Sequence, residues 1–547
     1  MSKSNKRFIP ADGLAGLKQN FSKDAMSGFF VFLLALPLSL GIAKASEFPA
    51  IYGIVTAIIG GVVVSFLAGS RLTIKGPAAG LIVIASGAVT AFGSGNIGWH
   101  FALSAIVVAG VIQILFGVFK LGKLADFFPS AAIHGMLAAI GIIIMSKQIH
   151  TLLGINPAVL KGKEPLELLA MIPSSILHEN AHIAEIGIAC LLLMIALSYI
   201  KSQKIKKIPA PLVVLAIAIP LGQVLHIKTD GAISNFALVK IGNIFDAFTP
   251  GGKVGDFVSS GIINADFSAI TSHMGVFIQY VILFALIGTI ESLLTAKAID
   301  GLDPYRRKSN FNKDIIAVGI GNTLAGLFGG LPMISEVARS SANVSNGAVT
   351  RWANFFHGIF LLLAVFLGVS FIEMIPNAAL AAMLIFVGFK LSHPKEFIQM
   401  WNLGKTQFVI FVSTIIMTLA TDLLIGVGFG ILLKFIFTLI YGASFKSLFK
   451  TNVEIIIAED NYEITIFESL VFSNLLGFKK HLNSIPNGKY VLIDVSKAKI
   501  VDHTSIIALN GFVSDYKDNG GQIELIGFEN HKQLGHAPTS ARVIKVA

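Results

Sequence analysis

Glu291 is an isolated carboxylate inside the apolar run His273–Leu294. On insertion scales a charge in the middle of such a run costs about 3 kcal/mol, so an acidic residue kept there usually has a function. Thr295 follows one helical turn later and places a hydroxyl oxygen on the same helix face. Carboxylate and hydroxyl oxygens suit a hard cation, so we expect this pair to bind Na+, or Glu291 to carry a proton. The alternative is a structural carboxylate paired with a neighbouring helix.

Two stretches, Thr73–Gly80 and Gly329–Glu336, place Gly and Pro directly ahead of helical segments rich in small residues. Each pattern predicts an extended piece that leads into a half-helix beginning within the membrane. The start of such a helix leaves backbone N–H groups unpaired and carries a partial positive charge. Two facing helix starts would therefore form an anion site. Taken singly, each Gly-Pro is more typical of a simple kink, and it is the presence of two that favours the broken helices.

The spacing of these stretches indicates an internal repeat. Ala35–Ala43 precedes the first stretch at about the separation at which Ala285–Leu293 precedes the second. We expect two repeats of about seven spans each, threaded in opposite directions because seven is odd.

The composition requires that most of the chain lies in lipid. Of 547 residues 54% are hydrophobic, only 13% are charged and 53 are glycine. The net charge is +11, but the basic residues form short clusters between apolar runs. This distribution indicates membrane orientation and excludes a nucleic-acid-binding face.

The apolar runs predict about fourteen membrane spans, counting roughly 20 mainly apolar residues per span and fewer where a helix is broken. Two connections, Thr151–Ala181 and His226–Ser272, are long enough to hold interfacial helices. The predicted span centres are Leu34, Ile59, Ile84, Ala109, Ala139, Leu192, Leu215, Leu283, Ala325, Val344, Leu363, Leu384, Ile415 and Leu432.

The short basic loops predict which side is cytoplasmic. Arg71 with Lys75, the run Lys201–Lys207 and the cluster Arg306–Lys308 fall on the same side as the N-terminus when fourteen spans are threaded. We therefore expect an inner-membrane protein with both termini in the cytoplasm. The polar segment Met1–Lys23 lacks the pattern of a signal peptide.

The sequence pattern changes near Phe445, where the long apolar runs end. Strand-like runs alternate with helical stretches from there to the C-terminus. We predict a transmembrane transport domain over residues 1–445 and a small cytoplasmic α/β domain over residues 446–547. The single cysteine, Cys190, excludes a disulfide framework and a multi-cysteine metal site.

Together these motifs resemble the SulP family of inorganic anion transporters, which end in a STAS domain. The resemblance rests on Pro37, Lys75–Gly80, Glu291 with Ser292, Ala338–Ser341 and the C-terminal α/β domain. It implies a polytopic α-helical membrane protein of seven-plus-seven inverted repeats with two broken helices. It also implies a core that moves against a gate, as in an elevator, and a homodimer. The Gly-Pro-Ala-Ala-Gly form is most similar to the bacterial branch that transports bicarbonate and is linked to carbonic anhydrase.

By this resemblance the anion-binding residues come from the first span, the two broken helices and their extended pieces. Arg339 is expected to set the electrostatic field around the anion, to pair with Glu336, or to do both. Lys75 is expected either to lend positive charge to the site or to extend toward the cytoplasm. Gly76 and Gly330 are expected to allow close backbone approach. The assigned set is Pro37, Lys75, Gly76, Pro77, Ala78, Ala79, Ser335, Glu336, Val337, Ala338 and Arg339.

Glu336 departs from the family pattern, which commonly has a small or hydroxyl residue there. A carboxylate at a positive helix start competes with a negative substrate, so it must be paired with Arg339, protonated or bound to a cation. This departure from the family pattern weakens the hypothesis that sulfate is the substrate and favours a monovalent anion such as bicarbonate.

Thr504 is the predicted regulatory residue. The stretch Val501–Ser505 resembles the STAS loop that enters a helix, with Thr504 at the position that is phosphorylated in related regulators. Ser505 replaces the usual glycine, which favours a dimer-packing or regulatory role over a phosphorylation switch. His134, His150 and His357 lie on separate segments without ligand spacing, and we interpret them as structural.

The predicted function is secondary active transport of bicarbonate or sulfate, coupled to Na+ or H+, without any other cofactor. An uncoupled channel or an exchanger of chloride or dicarboxylates is the alternative. A membrane enzyme would need a nucleophile with its base, or a metal cluster, and the spans contain no such motif.

Overall fold

The computed structural model describes residues 9–122, 129–160, 163–200, 209–227, 234–241, 264–458 and 461–545. The predicted basic run Lys201–Lys207 lies outside the described residues. The chain divides into two compact units. Unit 1 comprises Met1–Gly122 and Gly141–Lys390, and unit 2 comprises Lys123–Ile140 and Leu391–Ala547. The division differs from the boundary predicted at residue 445, although the first strand of the C-terminal domain begins only seven residues beyond it, at Asn452.

The described residues of the first half of the chain are mainly helical, and α7 and α8 lie in the first long connection. In chain order these are α1 (Gly13–Ala45), α2 (Ile51–Ile59), a π-helical segment (Gly60–Val64), α3 (Ser65–Leu67), a 3-10 turn (Ala79–Leu81), α4 (Ile82–Ala91), α5 (Gly95–Val118), α6 (Ser130–Leu152), α7 (Pro157–Leu160), α8 (Pro165–Leu177), α9 (Ala181–Tyr199), α10 (Ala210–Val224), α11 (Ser234–Ala237) and α12 (Ala269–Ser272).

The second half continues in the same way up to the C-terminal domain. Its helices are α13 (Met274–Leu302), α14 (Phe311–Leu327), α15 (Val337–Ser345), α16 (Trp352–Leu367), α17 (Val369–Ile372), α18 (Asn377–Leu391), α19 (Pro394–Leu403), α20 (Lys405–Ala420), α21 (Leu423–Ile440) and α22 (Phe445–Phe449).

Every predicted span centre lies within one of these helices. Among the described residues, six helices are long and apolar enough to cross a membrane by themselves, and further apolar helices of 10–17 residues accompany them. The predicted polytopic membrane architecture is confirmed. The shorter helices are those expected where a chain breaks its spans around an internal site.

Two four-residue strands connect the broken helices. β1 (Ile74–Pro77) pairs antiparallel with β2 (Met333–Glu336), with Ile74 opposite Glu336 and Pro77 opposite Met333. β1 leads through the 3-10 turn into α4, and β2 leads directly into α15. The two predicted extended pieces with their half-helices are therefore confirmed. Their antiparallel pairing agrees with repeats threaded in opposite directions.

Unit 1 is packed around a large apolar core drawn from α1, α2, α9, α10, α16 and α18. Most of its members are aliphatic residues with almost no exposed surface, among them Leu40, Ile54, Ile186, Val214 and Leu361. Cys190 belongs to the same core and is a free, buried thiol. Its packing role agrees with the absence of any cysteine partner in the sequence.

The C-terminal domain is a seven-stranded mixed sheet with two helices. The order across the sheet is β7, β5, β4, β6, β9 and β8, and β3 pairs with β4. Parallel pairing of β4 with β5 requires a crossover connection, which α23 supplies, and α24 leads from β6 to β7, which pairs parallel with β5. The bounds are β3 (Asn452–Ala458), β4 (Asn461–Leu470), α23 (Leu475–Asn483), β5 (Tyr490–Asp494), β6 (Ala498–Val501), α24 (His503–Asp518), β7 (Gln522–Ile526), a 3-10 turn (Phe528–Asn530), β8 (His531–Gln533) and β9 (Arg542–Ile544).

A buried ion pair joins this domain to the last long apolar helix within unit 2. The ammonium of Lys434 on α21 lies 3.2 Å from Oδ2 of Asp502, and both side chains are at most 4% exposed. Asp502 also caps α24 by accepting from the N–H of Ser505 at 2.8 Å, and it accepts from the N–H of Phe472 at 3.1 Å. Asp502 therefore keeps two backbone donors if Lys434 is lost, whereas Lys434 pairs with no second anion in the part of the chain that the structure describes.

This asymmetry gives a stability prediction for two variants. Asp502→Asn leaves Lys434 buried and uncompensated, which costs roughly 3–5 kcal/mol, whereas Lys434→Met removes the charge and keeps the apolar stem. We expect a clearly lower unfolding temperature for Asp502→Asn than for Lys434→Met, measured by tryptophan fluorescence of the purified protein in detergent. The double variant should recover most of the loss, and additive losses would contradict the pairing.

Candidate functional site

The strand pair brings the starts of α4 and α15 to the two ends of one small sheet. Because each strand passes into its helix within a few residues, both helix N-termini lie next to the strands. The backbone of the strands is fully buried at Ile74, Lys75 and Ser335. Ladder hydrogen bonds satisfy backbone groups that a broken helix would otherwise leave unpaired.

The start of α15 carries its own carboxylate. Glu336 is the N-cap residue, and its Oε2 accepts from the backbone N–H of Arg339 at 2.6 Å. The predicted ion pair with the Arg339 guanidinium is absent from the described residues, because the carboxylate caps the helix instead. An N-cap carboxylate interacts favourably with the helix dipole, which accounts for an acidic residue at this position.

The start of α4 also has a carboxylate beside it. The Glu291 side chain lies directly against Gly80 in the 3-10 turn, and a Cβ at Gly80 would collide with both carboxylate oxygens. Within the described part of the chain, Oε1 of Glu291 has no hydrogen-bond partner although it is buried. Neither Ala78 nor Leu81 caps this helix start with a side chain. At Oε1, the described residues therefore give no support to the alternative of Glu291 as a structurally paired carboxylate.

Arg339 is a fully buried cation without a counter-charge in contact. Its Nε, Nη1 and Nη2 lack hydrogen-bond partners among the residues that the structure describes. Nη1 lies against the backbone of Gly76, where an added Cβ would come within 2.6 Å. An unpaired buried charge is too costly to keep without a ligand. Among the residues that the structure describes, the guanidinium is thus the strongest indication of an anion site, and it lies where a side chain at position 76 would collide with it.

Lys75 does neither of the two things predicted from the sequence. Its side chain is fully buried, so it does not extend to the surface, and its ammonium lies 3.0 Å from Oδ1 of Asp314 on α14. It also donates to Ser70 at 2.6 Å and to Thr73. The charge of Lys75 is therefore balanced inside unit 1 and is not free to attract an anion. Lys75 positions β1 against α14.

A chain of hydroxyl groups extends from this ion pair to the helix of Glu291. The Ser335 hydroxyl donates to Oδ2 of Asp314 at 3.2 Å. The Ser292 hydroxyl donates to that of Ser335 at 3.1 Å and accepts from the backbone N–H of Ser335 at the same distance. β2 is thus tied to α13 one residue after Glu291. Of these residues the sequence analysis did not identify Asp314, because it follows a basic cluster that reads as a membrane-orientation signal.

Asn322 and Gln113 are two further residues that the sequence analysis missed. The Asn322 amide pairs with the backbone of Met333, accepting from its N–H at 2.6 Å and donating to its carbonyl at 3.1 Å. It also donates to Oε1 of Gln113 at 2.7 Å. Both are isolated polar residues in apolar helices, which is the signal that identified Glu291 and would have found them.

The other predicted site residues surround these groups. Pro37 lies within α1 and is buried, Ala78 and Ala79 are buried between β1 and α4, and Thr295 is buried on α13 one turn beyond Glu291. Val337 and Ala338 are exposed in the first turn of α15. Pro77 ends β1. The predicted set therefore combines buried side chains with an exposed helix start.

The histidines fall into two groups. His134 contacts Oε2 of Glu396 at 2.9 Å, and His150 contacts the Ser175 hydroxyl at 2.7 Å, as structural histidines do. His357 is fully buried, and neither ring nitrogen has a partner in the described ranges. Those ranges contain no group of three or more His, Cys, Asp or Glu side chains able to hold a metal ion.

The contact between Gly80 and Glu291 predicts a strong effect of one methyl group. Gly80→Ala should displace the Glu291 carboxylate and abolish most anion uptake into proteoliposomes, while the protein remains folded and monodisperse. Gly275→Ala is the matched control, since it is also a helical glycine and an added Cβ there meets no atom within 4 Å. Uptake by Gly80→Ala at the control rate would contradict the geometry described here.

Comparison with known proteins gives consistent matches over most of the chain. The sequence profile of the sulfate permease family matches residues 21–414. YvdB of Bacillus subtilis, which is named as a candidate sulfate transporter, is 26% identical over 528 residues, covering 95% of this chain and 94% of that protein. The bicarbonate transporter BicA of Picosynechococcus is 25% identical, covering 93% of this chain and 89% of that protein.

Solved structures match as well. The transmembrane domain of a cyanobacterial BicA superposes with a TM-score of 0.64 at 23% identity, covering 75% of this chain and 98% of that domain. SLC26A9 superposes with a TM-score of 0.63 at 14% identity, covering 93% of this chain and 85% of that protein. At these identities the structural matches establish the fold.

Proposed function

Because the chain belongs to the sulfate permease family, we propose that it is a secondary active transporter of a small inorganic oxyanion, bicarbonate or sulfate, coupled to Na+ or H+. It carries the anion on a core that moves against a gate, as an elevator does. The family is one of membrane transporters and not of enzymes. The coupling, the choice of anion and the motion are the parts that we add.

The observation that carries this proposal is the Arg339 guanidinium, which lies against Gly76 of β1 and has no hydrogen-bond partner among the described residues. In a low-dielectric interior, a cation without hydrogen bonds favours an anion that can approach it. The exposed first turn of α15 at Val337 and Ala338 offers a route of approach to the helix start.

Coupling follows from where the two carboxylates lie. Glu336 caps α15 and Glu291 lies against the first turn of α4, so each helix start already has a negative group beside it. An incoming anion at α4 is repelled by Glu291 unless a proton or a cation neutralises that carboxylate. Neutralisation and anion binding therefore favour each other, which is the thermodynamic requirement for symport.

The residues at this position fit a hard cation as well as a proton. Oε1 of Glu291 is a buried carboxylate oxygen without a partner in the described residues, and Thr295 lies one turn away on α13. A bound Na+ would supply a positive charge beside the anion. Protonation of the carboxylate would remove the negative charge instead.

Bicarbonate is the anion that we favour. Lys75 is neutralised by Asp314, so within the described ranges Arg339 is the one buried cation near the strands that is left to balance a substrate. One cation matches a monovalent anion better than a doubly charged sulfate. Relatives of similar identity are named for sulfate and for bicarbonate, so the names alone do not decide between them.

An uncoupled channel or an exchanger is the second candidate. It shares the fold and the positive helix starts, and SLC26A9 is itself described as an anion transporter. The buried Glu291 disfavours it, because a passive anion path gains nothing from a carboxylate placed beside it.

The proposed setting is the inner membrane, with both termini cytoplasmic, as a homodimer and with a functional link to a carbonic anhydrase. A carbonic anhydrase interconverts CO2 and bicarbonate and would supply or remove the substrate. We propose a regulatory role for Thr504. Its partly exposed side chain lies in the first turn of α24, two residues after Asp502, which contacts Lys434.

Glu291→Gln tests the coupling, since it keeps size and hydrogen bonding and removes the charge. We expect uptake of labelled bicarbonate into proteoliposomes to lose its dependence on an imposed Na+ or proton gradient. Exchange of anion across the membrane should survive in part, because Arg339 and the helix starts are unchanged.

Glu291→Asp is the control, because it keeps the charge and withdraws the oxygens by one methylene. It should retain gradient dependence and require a higher cation concentration. Gradient-driven uptake by Glu291→Gln at the wild-type rate would exclude Glu291 as the coupling residue. Failure of the wild-type protein to take up either bicarbonate or sulfate against a gradient would exclude the proposed function itself.

A further inference from the structure

The helix α16 carries buried polar atoms that the site described above does not use. Both ring nitrogens of His357 lack partners among the described residues, and so does Oδ1 of Asn354. His357 is 0% exposed and Asn354 is 2% exposed. The two residues are three positions apart, so they share one face of the helix. Such groups need hydrogen bonds that the described protein does not supply.

Glycines bring this face against the strand pair. Gly61 in the π-helical segment packs on Gly358, where a Cβ on Gly61 would come within 2.6 Å of the Gly358 Cα. Its neighbour Gly60 packs equally closely on the carbonyl of Lys75 in β1 and accepts from Nδ2 of Asn354 at 3.1 Å. The π-helix is an irregularity that is frequent at functional sites. Here it lets α16 and β1 approach the same backbone.

Arg339 reaches the same place from α15. Its Nη1 lies against Gly76, the residue after Lys75, and Ala57, one turn before Gly60, packs on the same glycine. The unpartnered atoms of Arg339, His357 and Asn354 are therefore contributed by two helices that border the same short stretch of α2 and β1.

We propose that Arg339, His357 and Asn354 form a polar subsite behind the strand pair that binds an oxygen bearing an O–H group. The oxygen accepts from Arg339 and His357, and its O–H donates to Oδ1 of Asn354. Two sources share this chemistry: an ordered water, and the hydroxyl of a protonated oxyanion such as bicarbonate. The inference deepens the proposed function and rests on it for the presence of an anion near Arg339.

The hydrogen-bond inventory explains why an O–H is required. Arg339 offers only donors, and a neutral His357 offers one donor and one acceptor, whereas Oδ1 of Asn354 is an acceptor. An anion with acceptors alone, such as sulfate or nitrate, satisfies the donors and leaves Asn354 unpaired. Bicarbonate carries one donor, so it can pair with Oδ1 of Asn354 while its oxygens accept from Arg339 and His357. A buried acceptor left unpaired weakens binding.

The test is anion binding to the purified full-length protein, which does not depend on transport. Bicarbonate and nitrate, which have equal charge and differ in the O–H, are titrated into wild type, His357→Leu and His357→Gln by calorimetry. We expect His357→Leu to weaken binding about tenfold, the size expected from losing one hydrogen bond to a charged or buried group. His357→Gln keeps a donor and an acceptor and should remain close to wild type.

The two sources give different results in the same experiment. A loss confined to bicarbonate identifies the hydroxyl of the anion, whereas an equal loss for nitrate identifies an ordered water. His150→Leu is the matched control, because His150 is buried but already bonded to Ser175 and to the carbonyl of Leu168. It should change stability and leave the binding of both anions unchanged.

A double variant with Arg339 distinguishes a ligand-binding role of His357 from a purely structural one. In an Arg339→Gln background the further loss caused by His357→Leu should disappear, because the shared ligand is already gone. Folded His357→Leu that binds both anions like wild type would overturn the inference, and so would a loss of unchanged size in the Arg339→Gln background.

If His357→Leu does not fold, the wild-type protein still provides a test. With 15N-labelled histidine, the imidazole resonance that is missing from His357→Gln should shift when bicarbonate or nitrate is added. An unshifted resonance at saturating anion would overturn the inference. The resonance shift reports anion binding and does not require transport. A wild-type protein that binds anions but fails to accumulate them would therefore contradict the proposed function and not this inference.

Discussion

The antiparallel pairing of β1 with β2 is the interaction on which the rest of unit 1 depends. A chain that breaks a helix in an apolar environment exposes N–H and C=O groups that lipid cannot satisfy. Here each broken stretch supplies the hydrogen-bond partners of the other, although the two are separated by more than 250 residues of sequence. Asn322 and Ser340 complete the arrangement by bonding the backbone of Met333 and Ile74. The N–H groups at the two helix starts can remain available to a ligand only because hydrogen bonds satisfy the backbone of the strands beside them.

The buried charges around the strands differ in what balances them. Lys75 and Asp314 neutralise each other, and Glu336 is held by the end of its own helix. Arg339 and Glu291 have no such partner in the described residues. A protein retains unpaired buried charges only where a ligand completes them, since each one destabilises the folded state. The division between balanced and unbalanced charges thus separates the groups that stabilise unit 1 from those that we propose to bind the transported ions.

The sequence predicted the broken helices and identified Glu291 as a candidate site residue, because Gly-Pro pairs and a lone carboxylate in an apolar run are local signals. It also predicted that Gly76 allows close approach. It did not predict the partner of Lys75 or the helix-capping role of Glu336, because both depend on which distant element packs alongside. Asp314 is hidden next to basic residues that indicate membrane orientation. The contact between Glu291 and Gly80 joins residues in different repeats, and no spacing within one sequence reveals such a contact.

The glycine contact between the π-helical segment and α16 has a mechanical consequence. At Gly61 and Gly358 the backbones touch without side chains between them, and at Gly60 the same segment touches β1. Surfaces without side chains cannot yield by changing rotamers, so shear between these elements is resisted by the main chain itself. The part of unit 1 that contains Arg339, His357 and the strand pair is therefore stiff. In the transport cycle that we propose, a stiff carrier would transmit a displacement at one side to its bound anion without internal rearrangement, which would limit uncoupled movement of either ion.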